Sequence, residues 1–283
     1  MPDIVPLPPI RTAAQLRAQA DDLKARPNFV ACNQAYTKGV AAFREAARPF
    51  GKLIANEDRF RIVNYIFHLW AEGRAAGGDG ALTYGTIHEV SQRGQVTARV
   101  LKNTLALGVH LGFLERKPNP ADRRSWLYAP TELGARFPHQ WLIPATESLD
   151  RLVDGETLTE RIQNDPEVTI RFFLGAGREF ASGLEPAILV PDYMHFCGHR
   201  EGAPLVAMAL LIAEMEGKPN PSRGEIAARY GLTKSQVALV ISAGVELGFI
   251  SLENGSARPT DALRDGNADW TAVALAFLHY HLR

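Results

Sequence analysis

Three short polar clusters in this chain carry residue types that bind polyanions and read hydrogen-bonding edges. The first comprises Thr97, Arg99, Lys102 and Asn103, with Arg93 just ahead of it. An arginine fork matches two acceptors on a guanine edge and an asparagine amide matches adenine, each discriminating by roughly 1–3 kcal/mol. The second is Arg123-Arg124, preceded by Asp122. Adjacent arginines on a loop tip suit a narrow minor groove, where the negative potential is enhanced. Lys234, Ser235 and Gln236 form a third, weaker cluster. The bland alternative for all three is solvated surface polarity.

Other chemistries find less support. His195, Cys197 and His199 alternate and would share one face of an extended segment, where zinc would accept them. A fourth ligand is not obvious, although Asp192 is near, and the spacing is not a usual structural-zinc pattern; no metal is expected. Cys32 and Cys197 are too few for a disulfide framework, and nothing near either marks a reactive thiolate. Paired carboxylates, a nucleophile elbow, a phosphate-binding loop and a dinucleotide fingerprint are all lacking, so neither an enzyme nor a cofactor is expected.

The elements that must position the first two clusters can be read around them. Thr86 and Glu89 have capping-box spacing for a helix start. A turn at Gln92-Arg93-Gly94 follows, and Thr97 is placed to cap a second helix. Its apolar positions Leu101, Leu105, Val109 and Leu111 keep helical spacing. Gly112 suits the residue beyond the helix end, and Phe113-Leu114 begins a strand. The chain returns through Trp126-Leu127-Tyr128 after the loop KPNPADRRS. This is the layout of a winged helix-turn-helix.

The pattern then recurs. Ser222-x-x-Glu225 repeats Thr86-x-x-Glu89, Thr233 repeats Thr97, and GVELGF at 244–249 repeats GVHLGF at 108–113, all offset by 136 residues. A gap-free match of this kind implies a duplicated unit. The second hairpin, from Leu252 to Pro259, is short and lacks the arginine pair.

Asp122-Arg123-Arg124, followed by Thr131 and Gly134, reproduces the D-R-R…T-x-x-G pattern that closes the DNA-binding domain of MarR-type regulators. The segment from about Glu57 to Gly134 resembles that family, over less than a third of the chain. Pro130 departs from the family's usual aliphatic residue, and it lacks a ladder donor, so the returning strand should end there or lie at an edge. The resemblance implies a wing arginine, Arg123 or Arg124, in the minor groove, with Asp122 holding the loop arginine. It also implies a small aromatic effector and a homodimer formed through helices outside the winged domain.

Composition agrees with a folded DNA-binding protein. At 283 residues, 46% hydrophobic and 22% charged, the chain should be globular. Its net charge is zero, yet residues 91–136 hold eight cations (Arg93, Arg99, Lys102, Arg116, Lys117, Arg123, Arg124, Arg136) against three anions. Residues 222–264 hold five against four. No apolar run is long enough for a bilayer span and no signal peptide is evident, which suggests a soluble, cytoplasmic, bacterial protein without membrane partners.

The expected fold is mainly α with small β wings: tandem winged helix-turn-helix domains joined and flanked by helices. Residues 1–56 form a Pro-punctuated arm and two helices, the candidate dimer elements, with the second helix closed by Pro49. Residues 57–137 form the first winged helix and 138–202 a helical connector with helices over 139–152, 157–164 and 167–182. Residues 203–266 form the second winged helix, and 267–283 a final helix from Trp270. The expected function is a sequence-specific transcription regulator on double-stranded DNA. Alternatives are a plasmid-type replication initiator, or an interaction scaffold that has lost DNA.

Overall fold

The computed structural model describes residues 7–283. The proline-rich arm expected over residues 1–10 therefore falls largely outside the described residues. The chain is mainly helical, with two small antiparallel sheets.

The N-terminal helices are α1 (Ala13–Lys24), α2 (Phe29–Ala46) and the short α3 (Arg48–Leu53). Thr12 and Gln15 close a capping box on α1. Pro49 lies in the first turn of α3, where its missing N–H costs nothing, and does not terminate α2 directly. Next come α4 (Glu57–Ala75), β1 (Leu82–Thr83), α5 (Tyr84–Arg93), α6 (Ala98–His110), β2 (Leu114–Asn119) and β3 (Asp122–Pro130). The sheet order is β1-β3-β2. β3 ends at Pro130, as the missing donor requires, although it is the central strand.

Three helices follow in the middle of the chain, α7 (Glu132–Leu152), α8 (Leu158–Asn164) and α9 (Pro166–Ala181). α7 starts seven residues before the expected 139 and runs through both Pro138 and Pro144. Packing outweighs the lost backbone bonds: α7 lies along α2, and a methyl at Gly39 would approach Pro144 Cβ to 2.9 Å. Pro186–Leu189 makes a 3₁₀ turn and Pro191–Cys197 forms α10, where a loop was expected. The chain closes with α11 (Ala203–Met215), α12 (Arg223–Tyr230), α13 (Lys234–Glu246), β4 (Ile250–Glu253), β5 (Ser256–Pro259) and α14 (Asp261–Leu282). α14 begins at Asp261, after the Thr260 cap and nine residues before the expected Trp270.

α11 and α14 are buried on nearly every side. Around them α1, α2, α7 and α9 form the main core, which also takes in Ile226, Val237, Ile241 and Phe249. The apolar faces of α1 and α2, the candidate dimer elements, are thus covered within the chain by α14, α7 and α11. The α4–β3 segment has a small core of its own around Ile62, Ile87, Leu101 and Leu105. A third cluster, Phe50, Phe113 and Phe137 with Phe43 against it, joins that segment to α3 and α7.

One buried ion pair fastens the N-terminal segment to the core. Arg11 grips Glu179 of α9 through Nη2 at 2.8 Å and Nε at 3.0 Å, and His281 of α14 bonds the same carboxylate at 2.9 Å. Burial pushes the Glu179 carboxyl up, but hydrogen bonds from His281 and Arg11 outweigh it and hold the carboxyl at about 2. Burial lowers the His281 imidazole against the opposing pull of Glu179. Both folded values lie below their ordinary ones. Stability should therefore be full above about pH 6.5 and fall as the unfolded imidazole takes up its proton. It falls further between about pH 4.5 and pH 2 as the carboxyl does. Replacing Glu179→Gln strands a buried guanidinium. Urea unfolding should show a loss of about 3–5 kcal/mol at neutral pH and a flatter acid limb.

Candidate nucleic-acid interface

The two 136-residue-spaced segments fold alike from the cap of the second helix to the base of the hairpin. α6 and α13 each span thirteen residues, are capped by Thr97 and Thr233, and end before Gly112 and Gly248 with φ of 75° and 78°. Val96 N–H bonds Ser91 O at 3.0 Å, and Leu232 N–H bonds Ala227 O at 3.0 Å. Phe113 N–H reaches Gly108 O at 2.9 Å, and Phe249 N–H reaches Gly244 O at 2.8 Å.

The starts of the preceding helices differ. Thr86 is not a cap: α5 begins at Tyr84, and Thr83 Oγ1 accepts the Thr86 N–H at 3.1 Å. Thr83 is held extended because it pairs with Leu127, so the helix starts as soon as β1 ends. Glu89 instead pairs with Arg93 at 3.2 Å. The second segment has no strand at this point, and Ser222 and Glu225 close the expected capping box. The turn differs too. Gly94 has φ of −82°, and Gln95 takes the left-handed conformation at φ 58°, where Gly231 stands in the second segment at 70°.

On α6, Leu101 and Leu105 face the small core, while Thr97, Arg99, Lys102 and Asn103 are exposed. The Thr97 hydroxyl is engaged as a cap on Val100 N–H. Lys102 Nζ sits 5.9 Å from the Tyr84 ring centroid, and that ring stacks on His88.

The hairpin is longer and tighter than the sequence suggested. β2 and β3 pair out to Asn119↔Asp122, leaving only Pro120-Ala121 between them. Arg123 and Arg124 are exposed near its tip. Asp122 acts on the backbone: its carboxylate accepts the Arg124 main-chain N–H at 3.0 Å, not a guanidinium. Arg116 lies 4.3 Å from the ring centroid of Trp126, which is 42% exposed. The sequence supplied both residues without revealing this contact, because it joins diagonal positions across a register not fixed in advance.

Partnership separates the two segments. In the first, Arg93, Lys117 and Arg136 pair with Glu89, Glu115 and Glu132. Among the described residues Arg99, Lys102, Arg116, Arg123 and Arg124 have no carboxylate partner. In the second, Arg229, Arg258 and Arg264 are paired, with Glu45, Glu253 and Glu214, which leaves Arg223 and Lys234 without a carboxylate partner among the described residues. Lys234 and Ser235 are exposed, but Gln236 is half-buried and its amide oxygen accepts Thr233 N–H at 2.8 Å. At the places of Arg99, Lys102 and Asn103 stand Ser235, Ala238 and Leu239, the last 71% exposed. The second hairpin turns through Asn254-Gly255, a two-residue turn with both φ positive, which the Asn-Gly pair itself signals.

The alternating His195, Cys197 and His199 do not line one extended face. His195 and Cys197 belong to α10, Cys197 is buried while both histidines are exposed, and burial pushes its thiol up to about 12. Burial likewise raises Cys32 to about 11. No cluster of three metal-ligating side chains occurs among the described residues. Nor is any helix among them long and apolar enough to cross a membrane.

Neither a family model, nor a curated protein, nor a solved structure aligns with this chain.

The left-handed Gln95 gives a direct check of the turn. A β-carbon costs roughly 1–2 kcal/mol in that conformation, and glycine gives back part of the gain through the unfolded chain. Gln95→Gly should raise the unfolding free energy by about 0.5–1 kcal/mol in chemical denaturation.

Proposed function

We propose that the chain is a sequence-specific DNA-binding regulator of MarR-like type, built from tandem winged helices of which the first does the reading. The observation that carries this is the set of five cations without carboxylate partners on α6 and the β2–β3 hairpin. In a chain of zero net charge, such a concentration is what a polyanionic partner requires. The strand order β1-β3-β2 and the helix-turn-helix before it support the winged-helix reading. In this reading Arg99, Lys102 and Asn103 face the major groove and Arg123 and Arg124 the minor groove.

A replication initiator would need cations free for DNA in both modules. Among the described residues the second keeps only Arg223 and Lys234 without a carboxylate, against five such cations in the first, and the pairing of Arg229, Arg258 and Arg264 counts against it. Two modules in one chain also supply what two single-module chains supply by dimerising, so the reading does not depend on a homodimer. A small effector remains part of the proposal.

Binding of genomic duplex fragments, measured by fluorescence anisotropy over a salt series, tests it. Each phosphate contact contributes about 0.9 to the slope of log affinity against log salt. Arg123→Ala with Arg124→Ala should weaken binding and flatten that slope by roughly 1–2, whereas Arg258→Ala should leave it unchanged. An unaltered slope in the double variant would remove the first hairpin from the interface.

A further inference from the structure

A cleft of about 460 Å³ opens between the α2–α3 junction and the second helix-turn-helix. Arg44, Arg48 and Lys52 line it, four residues apart along α2 and α3. Among the described residues none of the three meets a carboxylate. Cations nearby on the same side of the molecule are paired, Lys38 with Glu216 at 3.2 Å and Arg229 with Glu45 at 2.8 Å. One carboxylate, the exposed Glu201, lies among the lining residues.

Two polar atoms of this lining are sealed from solvent and make no hydrogen bond: Arg44 Nε and the Tyr230 hydroxyl. The Arg44 guanidinium bonds only the Ile54 carbonyl, through Nη1 at 3.3 Å. Burial without an anion lowers Arg44 to about 10, which leaves it charged at neutral pH. A buried cation and a buried hydroxyl without partners are each destabilising, and both border one cavity. An occupant with negative charge offsets the cation, and its acceptor oxygens reach the two sealed atoms once a small side-chain movement opens them to the cleft.

We propose that this cleft binds the phosphate group of a small phosphorylated molecule. A phosphate monoester carries close to two charges at neutral pH and three strong acceptor oxygens, against three cations and two unmet donors here. A monocarboxylate has too little charge and a DNA phosphodiester carries only one; a duplex backbone is also poorly shaped to reach sealed atoms. The cleft is bordered by Leu111, the C-cap of α6, and by Gln236 in the capping box of α13. The occupant therefore sits between the two helix-turn-helix segments. Its role as an effector, though not its binding, rests on the DNA-binding reading.

The test uses the full chain in phosphate-free buffer without DNA, so a failed DNA experiment leaves it intact. Titration calorimetry and thermal unfolding with inorganic phosphate should show saturable binding and a rise in Tm, with chloride at matched ionic strength inert. Arg48→Ala, at an exposed position, should weaken phosphate binding about tenfold or more. Tyr230→Phe should raise the Tm of the phosphate-free protein, since it deletes an unmet hydroxyl, and shrink the rise that phosphate produces. Absence of saturable binding, tighter binding of succinate than of phosphate, or full phosphate affinity in both variants would overturn the proposal. So would loss of bound phosphate to duplex DNA together with weaker DNA binding by Arg48→Ala, which would place the cleft on the DNA path.

Discussion

The geometry of each hairpin depends on one threonine. Thr131 Oγ1 donates to Gly112 O at 2.7 Å and accepts the Gly134 N–H at 3.0 Å. Thr260 Oγ1 donates to Gly248 O at 2.7 Å and accepts the Leu263 N–H at 3.4 Å. The same side chain thus ties the end of one helix to the start of the next, with the hairpin between them. Main-chain bonds from Thr131 to Phe113 O and from Thr260 to Phe249 O, both 3.1 Å, complete the closure. Each bond adds only about 1 kcal/mol net, but together they fix where the hairpin leaves the helix. In the first copy a methyl at Gly134 would overlap the Phe113 carbonyl oxygen, so glycine permits that approach. A strand pair of variable length can then be carried on an invariant base. The first hairpin is seven residues longer than the second between Gly and Thr.

On that shared base the two copies diverge in how their charges are satisfied. The second copy directs Arg229 and Arg264 towards Glu45 of α2 and Glu214 of α11, and its apolar residues belong to the main core. These two arginines thus help dock it on the bundle. The first copy keeps a separate core and leaves five cations to solvent. An exposed arginine without a carboxylate costs little, whereas its field over a polyanion is substantial. Zero net charge is compatible with this because acidic and basic residues are segregated.

Much of this was legible in the sequence, in proportion to how local the cause is. The 136-residue offset held because a helix cap, a left-handed glycine and a following aromatic are all set by neighbours a few residues away. Thr86 failed as a cap because β1 pairs with β3, a partner more than forty residues distant, and shifted the helix start to Thr83. Pro138 bounded the helix expected over 139–152, yet α7 starts before it and continues through both Pro138 and Pro144 where α2 packs against it. Asp122 was expected to hold the loop arginine, and its carboxylate takes the Arg124 main-chain N–H and no guanidinium. Arg44 and Tyr230 gave no signal at all. They meet only because α2 and α12 fold onto the same cleft, and nothing in their spacing of 186 residues encodes that.

The short stretch that joins α2 to α3 borders both the cleft and the packing at the root of the first hairpin. Arg44, Arg48 and Lys52 line the cleft, while Phe43 and Phe50, close to them in sequence, belong to the aromatic cluster. Phe50 stacks on Phe137 of α7 at 4.4 Å and meets Phe113, at the root of the hairpin, at 5.5 Å. Phe113 in turn packs edge-on against Phe137 at 4.7 Å. Close-packed aromatic rings transmit displacement instead of absorbing it, because interiors have few voids and low compressibility. Drawing the three cations together around an anion would shift the backbone that also carries the two rings. The ring cluster has its nearest contacts at the point where α6 passes into β2, so the basic hairpin, more than the docked second copy, is the element placed to respond.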